Sequence, residues 1–260
     1  KYIKFYQKVI QKTIDMVVDW YRVGFIHGVM NTDNMSITGE TFDYGPCSFM
    51  NIYNTQTTYS EIDEYRRYSF GNQKQMLKWN LSVLGKTLIY LFDNDIHTAE
   101  KLCKKEIDKF DSIFTTEFNN MMKKKLGIPN NNTHTNLIEN FLDFLKENNL
   151  DYTNTFIELM YPDSFDNPIY KSEGFENVKS QLKKIGLDLI IMKKNNPQRI
   201  LRNYLIENAI HEYEENNNLD KITELLDVIS SPYSKNDTLK KYQLPPGKYF
   251  DKYYATHCNT

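Results

Sequence analysis

Apolar residues recur at helical spacing through most of the chain, and this periodicity points to a mainly α fold. Ile3, Tyr6, Ile10, Ile14, Val17 and Tyr21 mark one face of an opening amphipathic helix. Gly24 follows where a helix C-terminal glycine belongs. Leu77, Leu81, Leu84, Leu88 and Leu91 form a second stripe. Further patterns predict helices near 97–125, 135–148, 152–160, 173–193, 197–215 and 219–230. Residues 129–132 (Pro-Asn-Asn-Asn) and Asn216 to Asn218 read as polar connectors. Pro245-Pro246-Gly247 ends regular structure and leaves a short tail.

The periodicity fails between residues 25 and 71. Phe25-Ile26 reads as a short buried link. Met35 to Ile37 and Thr41 to Asp43 read as two strands, with Gly39-Glu40 suited to a type II′ hairpin turn. Residues 44–71 look irregular apart from a short helix expected near Ser60 to Arg66. A loop of this length is usually functional or mobile. The chain begins at Lys1 in what resembles the middle of a folded unit, so the expectation is a fragment without its N-terminal portion.

Bulk properties exclude several classes. The 260 residues are 40% hydrophobic and 25% charged, which is ordinary for a globular protein. A net charge of −2 argues against a general nucleic-acid binder. No apolar run approaches the roughly 18 residues of a membrane span. Three scattered cysteines make neither a disulfide framework nor a zinc site. His97, His134 and His211 lack metal-ligand spacing.

The chemistry-bearing residues fall inside the irregular region. Asp33, Asn34 and Asp43 follow closely on the pair His27-Gly28. Phosphoryl or nucleotidyl transfer needs oxygen ligands for magnesium or manganese and a carboxylate to take the proton of the attacking hydroxyl. Asn34 and Asp43 can supply the ligands, and Asp33 is the base candidate. The expected hairpin would put Asn34 and Asp43 on one face, diagonal to each other and roughly 7 Å apart at Cβ. A one-residue slip of register would separate them. Taken alone, an Asp-Asn pair is more often a turn signal. The order His-Gly, Asp-Asn, Asp-aromatic-Gly is that of a protein-kinase catalytic loop and its metal site. Val29 stands where a kinase has its base, and His27 reads as a structural anchor.

These residues resemble the selenoprotein O family of protein adenylyltransferases. The stretch from His27 to Ser36 is close to a family signature, and Asp43-Tyr44-Gly45-Pro46 follows at the family spacing. Arg67-Tyr68, Gly71-Asn72-Gln73, Trp79-Asn80-Leu81 and Asp151-Tyr152-Thr153 match further blocks, as do Asn196-Pro197 and Arg202 to Leu205. The resemblance implies a protein-kinase-like C-lobe over residues 1–95 with a small active-site β-hairpin. A helical extension over 96–244 and a tail over 245–260 follow. It implies transfer of AMP from ATP, bound in a flipped pose, to Ser, Thr or Tyr hydroxyls of protein substrates, releasing pyrophosphate. Asp33 would accept the proton; Asn34 and Asp43 would hold the metal, with Asp43 also near the phosphates. The family's Gly-rich segment, ATP-binding Lys and phosphate-binding Arg residues lie upstream of this chain. The missing N-terminal ATP-binding lobe is therefore a required partner, and the fragment alone is expected to be inactive. Eukaryotic members imply a mitochondrial location.

Cys258 resembles the cysteine counterpart of the family's selenocysteine. The resemblance also implies a regulatory disulfide between tail and loop. The family's loop cysteine falls near Tyr59, where this chain has none, and Cys47 is the local substitute. A free tail thiol is the alternative. Two other functions compete: a kinase-like phosphotransferase using the γ-phosphate, and a non-catalytic helical interaction module. Arg199 and Arg202 are expected to form structural ion pairs, Lys123 to Lys125 a solvated helix end, and Trp20, Trp79 and Cys103 core packing.

Overall fold

The computed structural model describes residues 1–129, 135–247 and 249–256. Its first helix, α1 (Tyr2–Val23), buries Tyr6, Ile10, Ile14, Val17 and Tyr21, the stripe expected from spacing. Gly24 ends it at φ 76°, a left-handed conformation open to glycine at little steric cost, and donates its N–H to Trp20 O. Two short antiparallel strands follow, β1 (Phe25–Ile26) and β2 (Ser48–Phe49), with Phe25 opposite Phe49 and Ile26 opposite Ser48. The remaining order is α2 (Gln73–Thr87), α3 (Ile89–Phe92), α4 (Ile96–Asp108), α5 (Phe110–Leu126), α6 (Thr135–Glu147) and α7 (Tyr152–Met160). Then come α8 (Glu173–Lys184), α9 (Leu189–Asn195), α10 (Asn203–Asn216), α11 (Asp220–Ser230) and α12 (Phe250–Tyr253). Among the described residues, no helix is long and apolar enough to cross a membrane.

The fold is mainly helical, as the periodicity requires, but several boundaries differ. The predicted hairpin at 35–43 does not form. The two-stranded sheet instead joins the segments on either side of it. Gly39 is the last residue of a turn, its N–H donated to Ser36 O at 3.2 Å, rather than the first central residue of a hairpin turn. No helix forms at 60–66. There the Asp63 carboxylate accepts the backbone N–H groups of Arg67 (2.7 Å) and Tyr68 (2.8 Å), offering the chain turns in place of a helix. The 97–125 pattern breaks at Lys109, and the 173–193 pattern breaks at Gly186, φ 84°. Residues 197–202 lie outside α10, and Gln198 donates its N–H to Pro232 O at 2.7 Å. The connector at 130–132, with His134, lies outside the described residues.

One apolar core runs from Tyr6 to Met192, with α1 packed on α2 and α5. A smaller cluster of Ala209, Leu225, Val228 and Tyr242 joins α10, α11 and a 3₁₀ helix at Asp237–Gln243. Burying each large apolar side chain contributes about 1.5–3 kcal/mol before entropy is counted. Trp20 is buried, whereas Trp79 is exposed with the Arg67 guanidinium 5.1 Å from its ring centroid. Cys103 is buried, as expected.

Among the described residues, three cationic side chains are buried: Lys125, Arg202 and Arg199. Lys125 is not a solvated helix end: its Nζ donates to Arg22 O at 2.7 Å, satisfying a C-terminal carbonyl of α1. The Phe156 ring centroid lies 3.8 Å from that nitrogen, and burial pushes the Lys125 pKa well down. Arg202 is the second. Its guanidinium donates to Asn51 Oδ1 (2.6 Å), Asp151 Oδ2 (2.8 Å), Asn154 Oδ1 (2.9 Å) and Gln243 O (2.9 Å). Asp151 also caps α7 through the N–H of Asn154. Arg199 makes no ion pair among the described residues. It donates to Val228 O and Ser231 O at the end of α11.

Arg202 thus ties the loop after β2 to α7 and to the C-terminal region. Arg202→Met should lower stability by about 3–5 kcal/mol, because Asp151, with a side chain only 10% exposed, loses its cation. The expected readout is a fall in urea midpoint, with little rescue by Arg202→Lys, which lacks the planar fork. An unchanged midpoint would remove Arg202 from that role.

Candidate active site

Residues 27–47 form one excursion between β1 and β2, closed at its base by the two-residue ladder. All of Asp33, Asn34, Asp43 and Cys47 lie on it. Immediately beyond the ladder Gly28, φ 84°, faces Pro46 so closely that a Cβ would come within 2.4 Å of Pro46 O. The two ends of the excursion are therefore pressed together at two successive levels.

Polar side chains from α1, α2 and the segment before α2 hold this excursion through its backbone and its side chains. Gln73 on α2 accepts the N–H of His27 (3.1 Å) and donates to Phe25 O (3.2 Å). Asn80, two turns further on the same helix, donates to Met30 O at 2.9 Å. Trp20 on α1 donates to Thr41 Oγ1 at 2.8 Å, and the Tyr68 hydroxyl donates to Asn31 Oδ1 at 2.6 Å. The His27 N–H and the Met30 carbonyl thus find partners outside a segment that lacks regular secondary structure.

Asp33 and Asn34 sit on a single 3₁₀ turn, Thr32–Asn34. Asn34 Nδ2 donates to Val29 O at 3.2 Å, which leaves its Oδ1 as a free acceptor. Asp43 has φ 56°, a left-handed conformation that costs a non-glycine residue about 1–3 kcal/mol. His27 holds the residue before it. Nε2 lies 3.1 Å from Phe42 O, and because a carbonyl only accepts, that nitrogen carries the proton. Burial pushes the His27 pKa down, while the hydrogen bond to Phe42 and the nearby Asp43 carboxylate oppose the shift. His27 is thus an anchor in geometry.

Asn34 and Asp43 are both organised around the segment 27–29, Asn34 through Val29 and Asp43 through His27 and Phe42. Strand register does not align them, since the hairpin is absent. Asp33 and Asp43 are exposed and make no hydrogen bond or ion pair among the described residues. Glu40 accepts from Thr38 Oγ1 at 2.9 Å. No three His, Cys, Asp or Glu side chains converge on a cation position among the described residues.

Cys47 is a partly buried free thiol, its pKa raised first by burial. Cys258 lies outside the described residues. The chain returns to this loop at Thr256, whose hydroxyl donates to Pro46 O at 2.9 Å and whose N–H donates to Tyr59 O at 2.6 Å. Tyr254 packs edge-on against Tyr59, and Asp251 accepts from Asn51 Nδ2 at 2.7 Å.

Spacing along the chain had identified the loop but not its supports. Gln73 and Asn80 carried a readable signal: two amides seven residues apart, both on the buried face that includes Met76 and Leu77. Trp20 and Tyr68 carried none, since their partners depend on the path of the loop.

Known proteins give this geometry a family. The family model for protein adenylyltransferase SelO matches residues 1–184. Proteins named protein nucleotidyltransferase YdiU are similar over nearly the whole chain. The one from Pelagibacter ubique is 38% identical over 97% of this chain and 54% of its own length. The one from Pseudoalteromonas translucida is 38% identical over 100% of this chain and 55% of its own. The one from Clostridium perfringens strain 13 is 37% identical, covering 100% and 54%. The chain belongs to the SelO protein adenylyltransferase family. It spans about half the length of these relatives.

Gly28→Ala should disturb the excursion directly, because the new methyl meets Pro46 backbone rather than a flexible side chain. The expected cost is about 1–3 kcal/mol, from the strained φ together with the clash. Thermal unfolding would measure it, and a melting temperature equal to that of the unaltered protein would show that Gly28 does not clamp the loop.

Proposed function

We propose that the intact protein is a nucleotidyltransferase that moves AMP from ATP to Ser, Thr or Tyr hydroxyls of proteins. Residues 1–95 act as a kinase-like C-lobe and 96–244 as its helical extension, with an N-terminal lobe completing the ATP site. The observation that carries this reading is the pair of exposed, unpartnered carboxylates, Asp33 and Asp43, on a loop whose backbone is otherwise tightly held. Strain at Asp43 is retained where a purely structural loop would gain by relaxing it.

The residues fit a hard divalent cation. The Oδ1 of Asn34 and the carboxylate of Asp43 are oxygen donors, and magnesium commonly takes one or two such ligands with phosphate oxygens and water. When bound, magnesium or manganese would neutralise phosphate charge. Asp33 accepts the proton of the substrate hydroxyl. That oxygen forms a bond to the α-phosphorus, the bond from α-phosphorus to the bridging oxygen breaks, and pyrophosphate leaves. His27 and Asn80 hold the loop and take no proton. A γ-phosphate reaction is the weaker reading, because Val29 is buried and apolar where a kinase has its base.

In the intact protein, Asp33→Ala should lower transfer at least about 10²-fold, within the range for a general base, with little change in melting temperature. Label from α-³²P-ATP should appear on protein and label from γ-³²P-ATP should not. Unfolding by Asp33→Ala, or γ-label transfer, would turn the reading toward scaffold or kinase respectively.

Control by a Cys47–Cys258 disulfide is part of the proposal. The support is Thr256, which anchors the returning chain to the residue next to Cys47. Mass spectrometry of the oxidised, non-reduced protein should yield the cross-linked peptide; its absence would end this part.

A further inference from the structure

Away from the excursion, a cavity of about 230 Å³ opens between α1, α2, α5, α6, α7 and the loop at 53–55. Its floor is aromatic. Tyr21, Tyr53, Phe70, Phe114 and Tyr152 line it, and all five are buried. The rings pack mainly edge to face, with Tyr21 and Phe70 centroids 4.8 Å apart and Tyr21 and Phe118 5.5 Å apart. Two of the phenol groups are already engaged. Tyr21 donates to Gly71 O and accepts the N–H of Lys74, and Tyr152 donates to Tyr21 O. The walls therefore offer rings rather than those hydroxyls, and such a cavity favours an apolar body over water. It is smaller than the roughly 300–1,000 Å³ of drug-sized sites, so the occupant is small.

The rim carries one charged side chain, Lys74, whose Nζ lies 5.5 Å from the Phe114 ring centroid. Lys74 pairs with Asp111 at 3.2 Å, and Lys78 pairs with the same carboxylate. Two ammonium groups share this one carboxylate, and Lys74 is the charged group that borders the opening itself. Asp143, whose charge acts on Tyr53, is not in the lining. Flat rings within and a cation at the mouth are complementary to a flat apolar body carrying one anionic group.

We propose that this cavity binds a small aryl-alkanoate, with the ring seated among the aromatic side chains and the carboxylate at Lys74. The proposal is independent of the reaction assigned above, because no residue of this cavity belongs to the excursion.

The test is calorimetric titration of the intact protein with 3-(1-naphthyl)propionate and, separately, with its primary amide. Saturable binding of the acid is expected, with the amide about two- to fivefold weaker, as for an ion pair at a partly exposed site. Lys74→Gln should weaken the acid by the same factor and leave the amide unchanged. Leu142→Trp, which fills the lining, should reduce binding of both. Should that variant fail to fold, the Lys74 comparison still decides. No saturable binding, including the case where another part of the intact protein fills the cavity, overturns the proposal. So does equal affinity for acid and amide, or a Lys74→Gln protein that binds the acid normally.

Discussion

A segment without helix or strand pairing keeps one shape only if its polar backbone finds partners elsewhere, and the excursion between β1 and β2 meets that condition through the helices below it. Gln73 and Asn80 project from one face of α2 and Trp20 from α1, each to a specific group of the loop. Packing α1 against α2 therefore does more than bury apolar area. It fixes the spacing between donors and acceptors on which the loop conformation rests. Small errors in that packing would leave buried polar groups unpaired, each at a cost of about 1–3 kcal/mol.

The same logic governs the buried cations. Arg202 reaches three parts of the chain that are far apart in sequence, and Lys125 closes the end of α1. Hydrocarbon side chains could fill both spaces, but they would not satisfy the carbonyls and amides already buried there. At Arg202 desolvation is offset in part by the hydrogen bonds its guanidinium makes, whereas Lys125 donates to Arg22 O and burial pushes its pKa well down.

Helical periodicity revealed the class of fold, and the α1 stripe with Gly24 as its stop was readable residue by residue. Breaks within long patterns were less visible. Lys109 carries no breaker signature, and Gly186 is a lone glycine of a kind that helices tolerate. The hairpin expectation failed for a definite reason. Met35 to Ile37 and Thr41 to Asp43 have strand-like composition, but the stronger partners, Phe25-Ile26 and Ser48-Phe49, lie outside them and pair with each other. Local propensity in short strands yields to such tertiary context. The loop's Asp33, Asn34 and Asp43 could be singled out by their order after His27-Gly28 and by the resemblance of that stretch to a family signature. Their fixation could not, since it depends on residues whose partners are set by the path of the chain.

The excursion also has a history within each molecule. Its base ladder joins nearby residues, but its outer brace, Thr256 on Pro46, links positions 210 residues apart. Contacts of such long sequence separation form late, after the intervening loop has been closed. On a ribosome both sides of the ladder emerge well before residue 256, and the brace must wait for it. A newly made copy therefore passes through an interval in which the ladder's residues have emerged and the residue that braces the outer side of this loop has not.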